Sequence, residues 1–267
     1  MWFYRKAKGI LFSIIITGVA LIGGCQKPSQ ETSPSKLTVS LIDSPGDFDK
    51  VYVEILKIQV KFGTSDWTDL TDFVPGTYNI LDYTSGKELL ITSQELKPTL
   101  ISNLQIFIGT NNSLLIQGDS IPLYIPAGQE SGTLVGLNQM LDAGQEDHLL
   151  IDFDVARSVL YSGSTGLYFL RPVISAFIKS KSGAISGKVF PDSLNVAIQV
   201  NSNGNVVASS YAPKGVSEFV VAGLPDGVYM AIFDPGSKSG FQQYTTQENI
   251  VVRQGQTTDI GSITLVK

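Results

Sequence analysis

The chain has 267 residues, with 19 Lys and Arg against 24 Asp and Glu, one histidine and one cysteine. The only basic cluster lies near the N-terminus, and this argues against nucleic-acid binding, which requires clustered Lys and Arg on the folded protein. A single cysteine cannot form an internal disulfide, and a single histidine without a partner thiol is a poor basis for a zinc site.

The N-terminal segment has the pattern of an export signal. A basic head at residues 5–8 precedes an apolar run at residues 9–24, which is shorter than the roughly 20 apolar residues of a membrane span. The run ends Leu21-Ile22-Gly23-Gly24-Cys25, which resembles the lipobox of bacterial lipoproteins. We therefore predict that residues 1–24 are a lipoprotein signal peptide and that Cys25 carries the lipid. The alternative is an ordinary signal peptide with a chance cysteine.

Residues 25–35 are rich in Gln, Ser, Thr and Pro, which predicts a flexible tether. Gln26 follows the cysteine, and by resemblance to known sorting rules this favours the outer membrane of a Gram-negative cell. The periplasmic face and the cell surface both remain open. Removing the three basic residues of the signal leaves 16 basic against 24 acidic residues, a net charge of about −8.

The segment Leu37–Val60 predicts a strand, a turn and a second strand, paired as a hairpin. Its two apolar runs flank a polar centre at residues 43–49, and Val51, Val53 and Ile55 alternate with polar or larger side chains. Further strands are predicted at Leu100–Ile108, Ser113–Gln117, Ile121–Ile125, Leu149–Asp154 and Leu167–Ile178, with short helices near Lys87–Leu96 and Ala156–Leu160. Many short strands favour an all-β sandwich or an open barrel.

A short polar stretch at residues 179–183 divides the mature chain into two predicted domains, 36–178 and 184–267. In the second domain Leu224-Pro225-Asp226-Gly227 has the residues of a tight turn, and an alternating run begins at Tyr229. The fold class expected is all-β, with two consecutive Ig-like or transthyretin-like β-sandwiches after a signal peptide.

Five blocks of the first domain resemble the domain of unknown function catalogued as 4382. They are Leu37–Val53, Asn79–Gly86, Pro126–Gly132, Leu150–Val159 and Tyr168–Ile174. The resemblance spans roughly residues 36–178 and departs from the family pattern at Lys97–Gln105. Because the family has no assigned activity, the resemblance implies an architecture and a location in bacterial lipoproteins, with no catalytic residues.

The second domain resembles the regulatory-like β-sandwich modules found beside carboxypeptidases and in transthyretin-like proteins. The blocks that carry this resemblance are Ile185–Pro191, Phe219–Tyr229, Val251–Val252 and Gly261–Leu265. Ser217 stands where that family usually has a glycine. The resemblance implies a spacer or a binding platform.

Catalytic motifs are poorly represented in the sequence. His148 lies in a polar approach to a strand, and we interpret it as a surface residue, since no serine stands in a Gly-x-Ser-x-Gly elbow that could join it in a triad. Neither a Gly-x-x-x-x-Gly-Lys loop nor a Gly-x-Gly-x-x-Gly loop is present, so no nucleotide site is predicted.

Paired carboxylates are the remaining candidate site. Asp43, Asp47 and Asp49 crowd one turn, and Asp152 and Asp154 project from one face of a strand. Calcium takes six to eight oxygens, which this set could supply together with backbone carbonyls, so calcium is the one cofactor considered. A hydrolase would need two opposed carboxyl groups. The third interpretation is structural: the aspartates cap turns and pair with nearby Lys50, Arg157 or Arg171.

Six aromatic residues could include a platform on which sugars stack, although strands favour aromatic residues for packing alone. They are Trp67, Tyr78, Tyr83, Tyr124, Tyr161 and Tyr168. The function predicted is that of a non-catalytic outer-membrane lipoprotein acting as a binding, adhesion or envelope-structural module. Its partners would be the membrane, through the lipid on Cys25, and carbohydrate or envelope proteins. The alternatives are a fimbria-like subunit that assembles by strand exchange and a carboxylate-dependent hydrolase.

Overall fold

The structure is a computed structural model that describes residues 33–44, 48–84, 87–126, 132–247 and 249–267. The predicted signal peptide, Cys25 and Asp47 lie outside these residues. In the described part of the chain, no helix has the length and apolar character needed to cross a membrane. Residues Thr32–Lys267 form one compact unit.

The expected all-β class is confirmed. The first sandwich, residues 35–178, contains thirteen strands among its described residues. These are β1 Ser35–Ser44, β2 Lys50–Phe62, β3 Trp67–Asp69, β4 Gly76–Asn79, β5 Leu89–Leu96, β6 Leu100–Ile108, β7 Ser113–Ile116, β8 Asp119–Tyr124, β9 Thr133–Met140, β10 Glu146–Asp154, β11 Val159–Ser162, β12 Leu167–Leu170 and β13 Ile174–Ile178. One short helix, α1 (Val155–Ser158), and two 3-10 turns, Ile80–Tyr83 and Lys179–Lys181, accompany them.

The second sandwich, residues 183–264, is built from eight further strands of the described chain. These are β14 Gly183–Phe190, β15 Val196–Ser202, β16 Asn205–Ala212, β17 Glu218–Leu224, β18 Gly227–Asp234, β19 Tyr244–Thr245, β20 Ile250–Val252 and β21 Thr257–Thr264. A three-stranded sheet with the order β17-β14-β21 faces a five-stranded sheet in which β16, β15, β18 and β19 follow in order and β20 also pairs with β18.

The hairpin predicted for Leu37–Val60 is wrong in its pairing, although both strands exist. Strand β1 lies in a four-stranded sheet of order β13-β10-β1-β5, and β2 lies in the nine-stranded sheet that covers it. The chain between them therefore crosses from one sheet to the other. In β1 the side chains of Leu37, Val39 and Leu41 are buried, because alternate residues of a strand share the face that packs on the opposite sheet.

Strand β1 pairs in parallel with β10 along nearly its whole length, from Lys36 opposite Glu146 to Ser44 opposite Asp154. The core row of β10, Leu149, Ile151 and Phe153, is also fully buried. The parallel pairing joins segments about 110 residues apart, and it places the C-terminal ends of both strands at one edge of the sandwich.

Two local predictions need correction. The helix expected at Lys87–Leu96 is strand β5, which pairs antiparallel with β1 from Ser35 opposite Leu96. The single strand expected at Leu167–Ile178 is divided by residues 171–173 into β12 and β13, which belong to different sheets. The helix expected near Ala156–Leu160 is present as α1, which ends at Ser158, whereas Leu160 belongs to strand β11. The strand at Leu100–Ile108 is confirmed.

Each sandwich has its own buried apolar cluster, one drawn from residues 37–178 and the other from residues 185–265. The junction between them is held by specific contacts. Lys181 Nζ lies 2.8 Å from Asp142 Oδ2 and 3.7 Å from Asp147 Oδ2. Gly223 of β17 has φ +76°, and a Cβ there would meet the ring of Phe177 from β13. Whether the two sandwiches are independent folding domains stays a prediction.

Candidate functional site

The C-terminal ends of β1 and β10 bring together three of the five predicted calcium ligands. In the parallel register Asp43 lies opposite Phe153, and the neighbouring pairs place Asp152 and Asp154 on either side of it. The sequence grouped three acids of one turn with two of a strand as a single possible calcium site; what brings Asp43 close to Asp152 and Asp154 is a parallel pairing of strands more than 100 residues apart.

Asp43 is the unusual member of this acidic end. It continues the core row of β1 and is only 7% exposed. Its Oδ1 accepts a hydrogen bond from the Val155 backbone N–H at 3.3 Å, and its Oδ2 has no hydrogen-bond partner among the described residues. Burial raises the pKa of the Asp43 carboxyl to about 9; the charges of Asp152 and Asp154 raise it too, and the Val155 hydrogen bond opposes the shift. The side chain is therefore a neutral carboxylic acid at pH 7.

Asp154 has a structural role that accounts for its burial, at 2% exposure. It caps α1, since its Oδ1 accepts from the Arg157 backbone N–H at 2.9 Å, and its Oδ2 lies 2.7 Å from Arg157 Nε. The hydroxyl of Ser209, on β16 of the second sandwich, also donates to Oδ2. This carboxylate thus joins a helix start, an ion pair and the junction of the two sandwiches.

The calcium site predicted from the sequence includes two further aspartates. Asp49 is exposed, and Asp47 lies outside the described residues. In the described part of the chain, no three His, Cys, Asp or Glu side chains are grouped so that they could hold a metal ion. The calcium site at Asp43, Asp47, Asp49, Asp152 and Asp154 therefore stays a prediction. For the pairing alternative, the Asp154–Arg157 ion pair is present as expected.

His148, interpreted from the sequence as a surface residue, is half-buried and belongs to a polar group that sequence analysis missed. Its Nε2 lies 3.0 Å from Ser40 Oγ and 3.0 Å from Glu88 Oε2, and Glu88 Oε1 lies 3.5 Å from Lys179 Nζ. The register of β1 and β10 brings Ser40 and His148 close, and Glu88 reaches them from the residue before β5. No local spacing in the sequence indicates this grouping.

The geometry of this group differs from that of a serine–histidine–acid triad. In a triad the serine contacts one ring nitrogen and the acid contacts the other, so that the ring can pass a proton between them. Here Ser40 and Glu88 both contact Nε2 of His148. Ser40 is also only 2% exposed, which leaves its hydroxyl inaccessible to a substrate.

Two of the six predicted aromatic residues pair at one edge of the nine-stranded sheet, and a third, Tyr124, lies on the third strand from that edge, β8. The Tyr161 and Tyr168 rings lie 5.0 Å apart on the β11–β12 hairpin, and the Tyr124 ring lies 6.4 Å from that of Phe169. Tyr124 and Tyr161 are largely exposed. Tyr78, in contrast, packs on Phe73 in the first sandwich.

A cleft lies between the two sandwiches, with a cavity volume of about 520 Å³. Its apolar part is formed by Leu150, Phe177 and Ala222, and its polar part includes His148 and Lys179. The sequence predicts a junction here but no cavity, because neither sandwich forms the cleft alone.

These features define the class of the protein: it is an all-β chain of two packed sandwiches, with buried acids at the ends of its strands and a cleft at the junction. The particular family is given by the sequence. The family described as Domain of unknown function (DUF4382) matches residues 34–172, just over half of the chain, and the chain belongs to this family. No match was found among curated proteins.

Some solved structures show a distant similarity to this chain. The TIE protein of Bacillus anthracis is 10% identical over 87% of this chain, with a TM-score of 0.22, and this chain spans 34% of that protein. The minor pilin GBS52 of Streptococcus agalactiae is 11% identical over 86% of this chain and 95% of its own, with a TM-score of 0.24. A fimbrial protein of Bacteroides ovatus is 11% identical over 87% of this chain and 50% of its own, with a TM-score of 0.22. Similarities this low support no conclusion about function.

Proposed function

We propose that this chain is an exported, lipid-anchored module of the bacterial cell envelope that binds its partner without catalysing a reaction. The lipobox-like run before Cys25 supports the anchor, and Gln26 supports the outer membrane as the destination. Two packed sandwiches after a polar tether would hold a rigid binding surface at a distance from the bilayer.

The absence of catalysis is proposed from one observation: the contacts that Asp154 and His148 make with other side chains and with the backbone. Asp154 caps α1, pairs with Arg157 and accepts a hydrogen bond from Ser209 of the other sandwich. Nε2 of His148 contacts both Ser40 and Glu88. These groups, which could otherwise act as acids or bases, stabilise strand ends and the junction.

The carboxylate-dependent hydrolase receives no support from this arrangement. Asp43 and Asp154 are 7% and 2% exposed, so neither carboxyl group lies open to a substrate. Glycoside hydrolysis needs two carboxyl groups that flank the scissile bond in an accessible cleft.

The anchor is tested by fractionating cells that express the full chain or the Cys25→Ala variant. The acyl chains supply about 0.8 kcal/mol for each buried CH₂ group, so the variant is expected in the soluble fraction, whereas the unchanged chain needs detergent for extraction. Ser29→Ala, four residues along the tether, is the matched control and is expected to stay with the membrane. Membrane retention of Cys25→Ala would overturn the anchored function.

A further inference from the structure

The cleft between the sandwiches has the position and size of a ligand site. Small-molecule sites often lie at the interface of two domains, enclose about 300–1,000 Å³ and combine an apolar lining with a few polar groups. This cleft has a volume of about 520 Å³. Leu150 and Phe177 come from the first sandwich, and Ala222 comes from the second, so both sandwiches contribute to the lining.

The contacts around the cleft hold its two walls in place. Lys181, the last residue of the 3-10 turn that connects the walls, pairs with Asp142 and with the buried Asp147 of the first sandwich. Gly223 admits the Phe177 ring of the opposite wall. A site whose walls are fixed before binding loses less conformational entropy when a ligand enters.

The ionisable groups Glu146, His148 and Lys179 that line the cleft each contact a group of opposite charge outside the lining. Lys179 and His148 both contact Glu88, and Glu146 lies 3.3 Å from Lys36. A charged ligand would have to compete with these pairs for its counter-charge.

The polar groups left for a ligand are uncharged. The exposed side chains of Gln256 and Thr257 line the cleft and make no hydrogen bond to other described residues. His148 lines the cleft as well, and its contacts with Ser40 and Glu88 are made by Nε2, which leaves Nδ1 as the ring nitrogen for a ligand. An amide and a hydroxyl can each donate and accept, and an imidazole nitrogen can do either according to its tautomer. Such a set matches hydroxyl groups, which also donate and accept.

We propose that this cleft binds a neutral oligosaccharide of two to four rings. The C–H faces of the sugar rings would lie on the apolar lining, and the sugar hydroxyls would bond to Gln256, Thr257 and His148. This inference rests on the proposed binding function and gives it a site and a ligand class.

The test is a calorimetric titration of the full chain, extracted from membranes in detergent. The probes are four neutral trisaccharides, maltotriose, cellotriose, mannotriose and chitotriose, together with anionic trigalacturonate and the neutral peptide Gly-Ser-Gly-Ser. At least one neutral trisaccharide is expected to bind. Gln256→Ala combined with Thr257→Ala should raise its Kd about tenfold, because two hydrogen bonds are lost.

The matched control is Gln243→Ala combined with Thr245→Ala, which changes the same residue types at exposed positions outside the cleft. Its Kd should stay within about twofold of the unchanged chain. Binding of no neutral trisaccharide, binding of trigalacturonate or the peptide alone, or an equal Kd for the cleft variant would each overturn the inference. None of these outcomes alters the membrane fractionation, so a failure here is distinct from a failure of the anchor.

Discussion

Replacing Asp43 by asparagine tests whether this buried side chain is a neutral acid. In the folded chain its pKa is raised to about 9 by burial first and then by the neighbouring acids, against 3.8 for an unperturbed aspartate. Between these two values the folded state holds a proton that the unfolded state has released. The contribution of Asp43 to the free energy of unfolding therefore falls as the pH rises, by up to about 1.4 kcal/mol per pH unit, and this decline ends near pH 9.

The asparagine side chain in the Asp43→Asn variant cannot titrate, but its amide oxygen can still accept the hydrogen bond from the Val155 N–H. Other carboxylates titrate in both proteins, so their effect cancels in the difference between the variant and the unchanged chain. From pH 5 to pH 8 the free energy of unfolding of Asp43→Asn should rise relative to that of the unchanged chain by about 1 to 4 kcal/mol. The upper value is the full slope taken over three pH units.

Urea unfolding, followed by far-ultraviolet circular dichroism at pH 5, 6.5 and 8, measures this difference directly. Asp49→Asn, at an exposed position in the same acidic segment, is the matched control and should show no such trend. A difference for Asp43→Asn that changes by less than about 0.5 kcal/mol across this range would refute the neutral buried acid.

Three further predictions concern the junction and the acidic end. Gly223→Ala should lower the free energy of unfolding by about 1–3 kcal/mol, because a Cβ meets a phenylalanine ring at positive φ; Gly163→Ala, in an open turn, should change it by less than about 0.5 kcal/mol. Lys181→Met should lower the free energy of unfolding by about 1–3 kcal/mol, because it removes the cation that lies 3.7 Å from the buried Asp147 carboxylate. Lys188→Met breaks only an exposed pair and should lower the free energy of unfolding by less than about 1 kcal/mol; equal losses in urea unfolding would contradict this. Calcium at 5 mM should raise the melting temperature modestly relative to EDTA if it binds the acidic end, and identical melting curves would leave these acids with a structural role only.

Strand positions with a clear period-two pattern could be predicted from the sequence. Val51, Val53 and Ile55 alternate along β2 and are all fully buried. The segment Lys87–Leu96 misled because its Leu, Glu and Lys content favours a helix locally, whereas its pairing with β1 decides the outcome. Tertiary pairing of this kind leaves no local signal in the sequence.

The same limitation applies to the candidate site. Asp43 belongs to a stretch rich in turn residues, and only the parallel pairing of β1 with β10 explains why its carboxyl lies in the core row. Glu88 and His148 are 60 residues apart, and they meet because β5 and β10 flank β1. The cleft forms only where the two sandwiches pack together, so its lining residues could not be grouped from their spacing in the sequence.

The most direct test of the central claim, an exported and lipid-anchored module, is the intact mass of the protein purified from the membrane fraction. We expect a chain that begins at Cys25 and whose mass exceeds that of its sequence by the mass of the attached acyl chains. A chain that retains residues 1–24, or one that begins elsewhere without an added lipid mass, would contradict it.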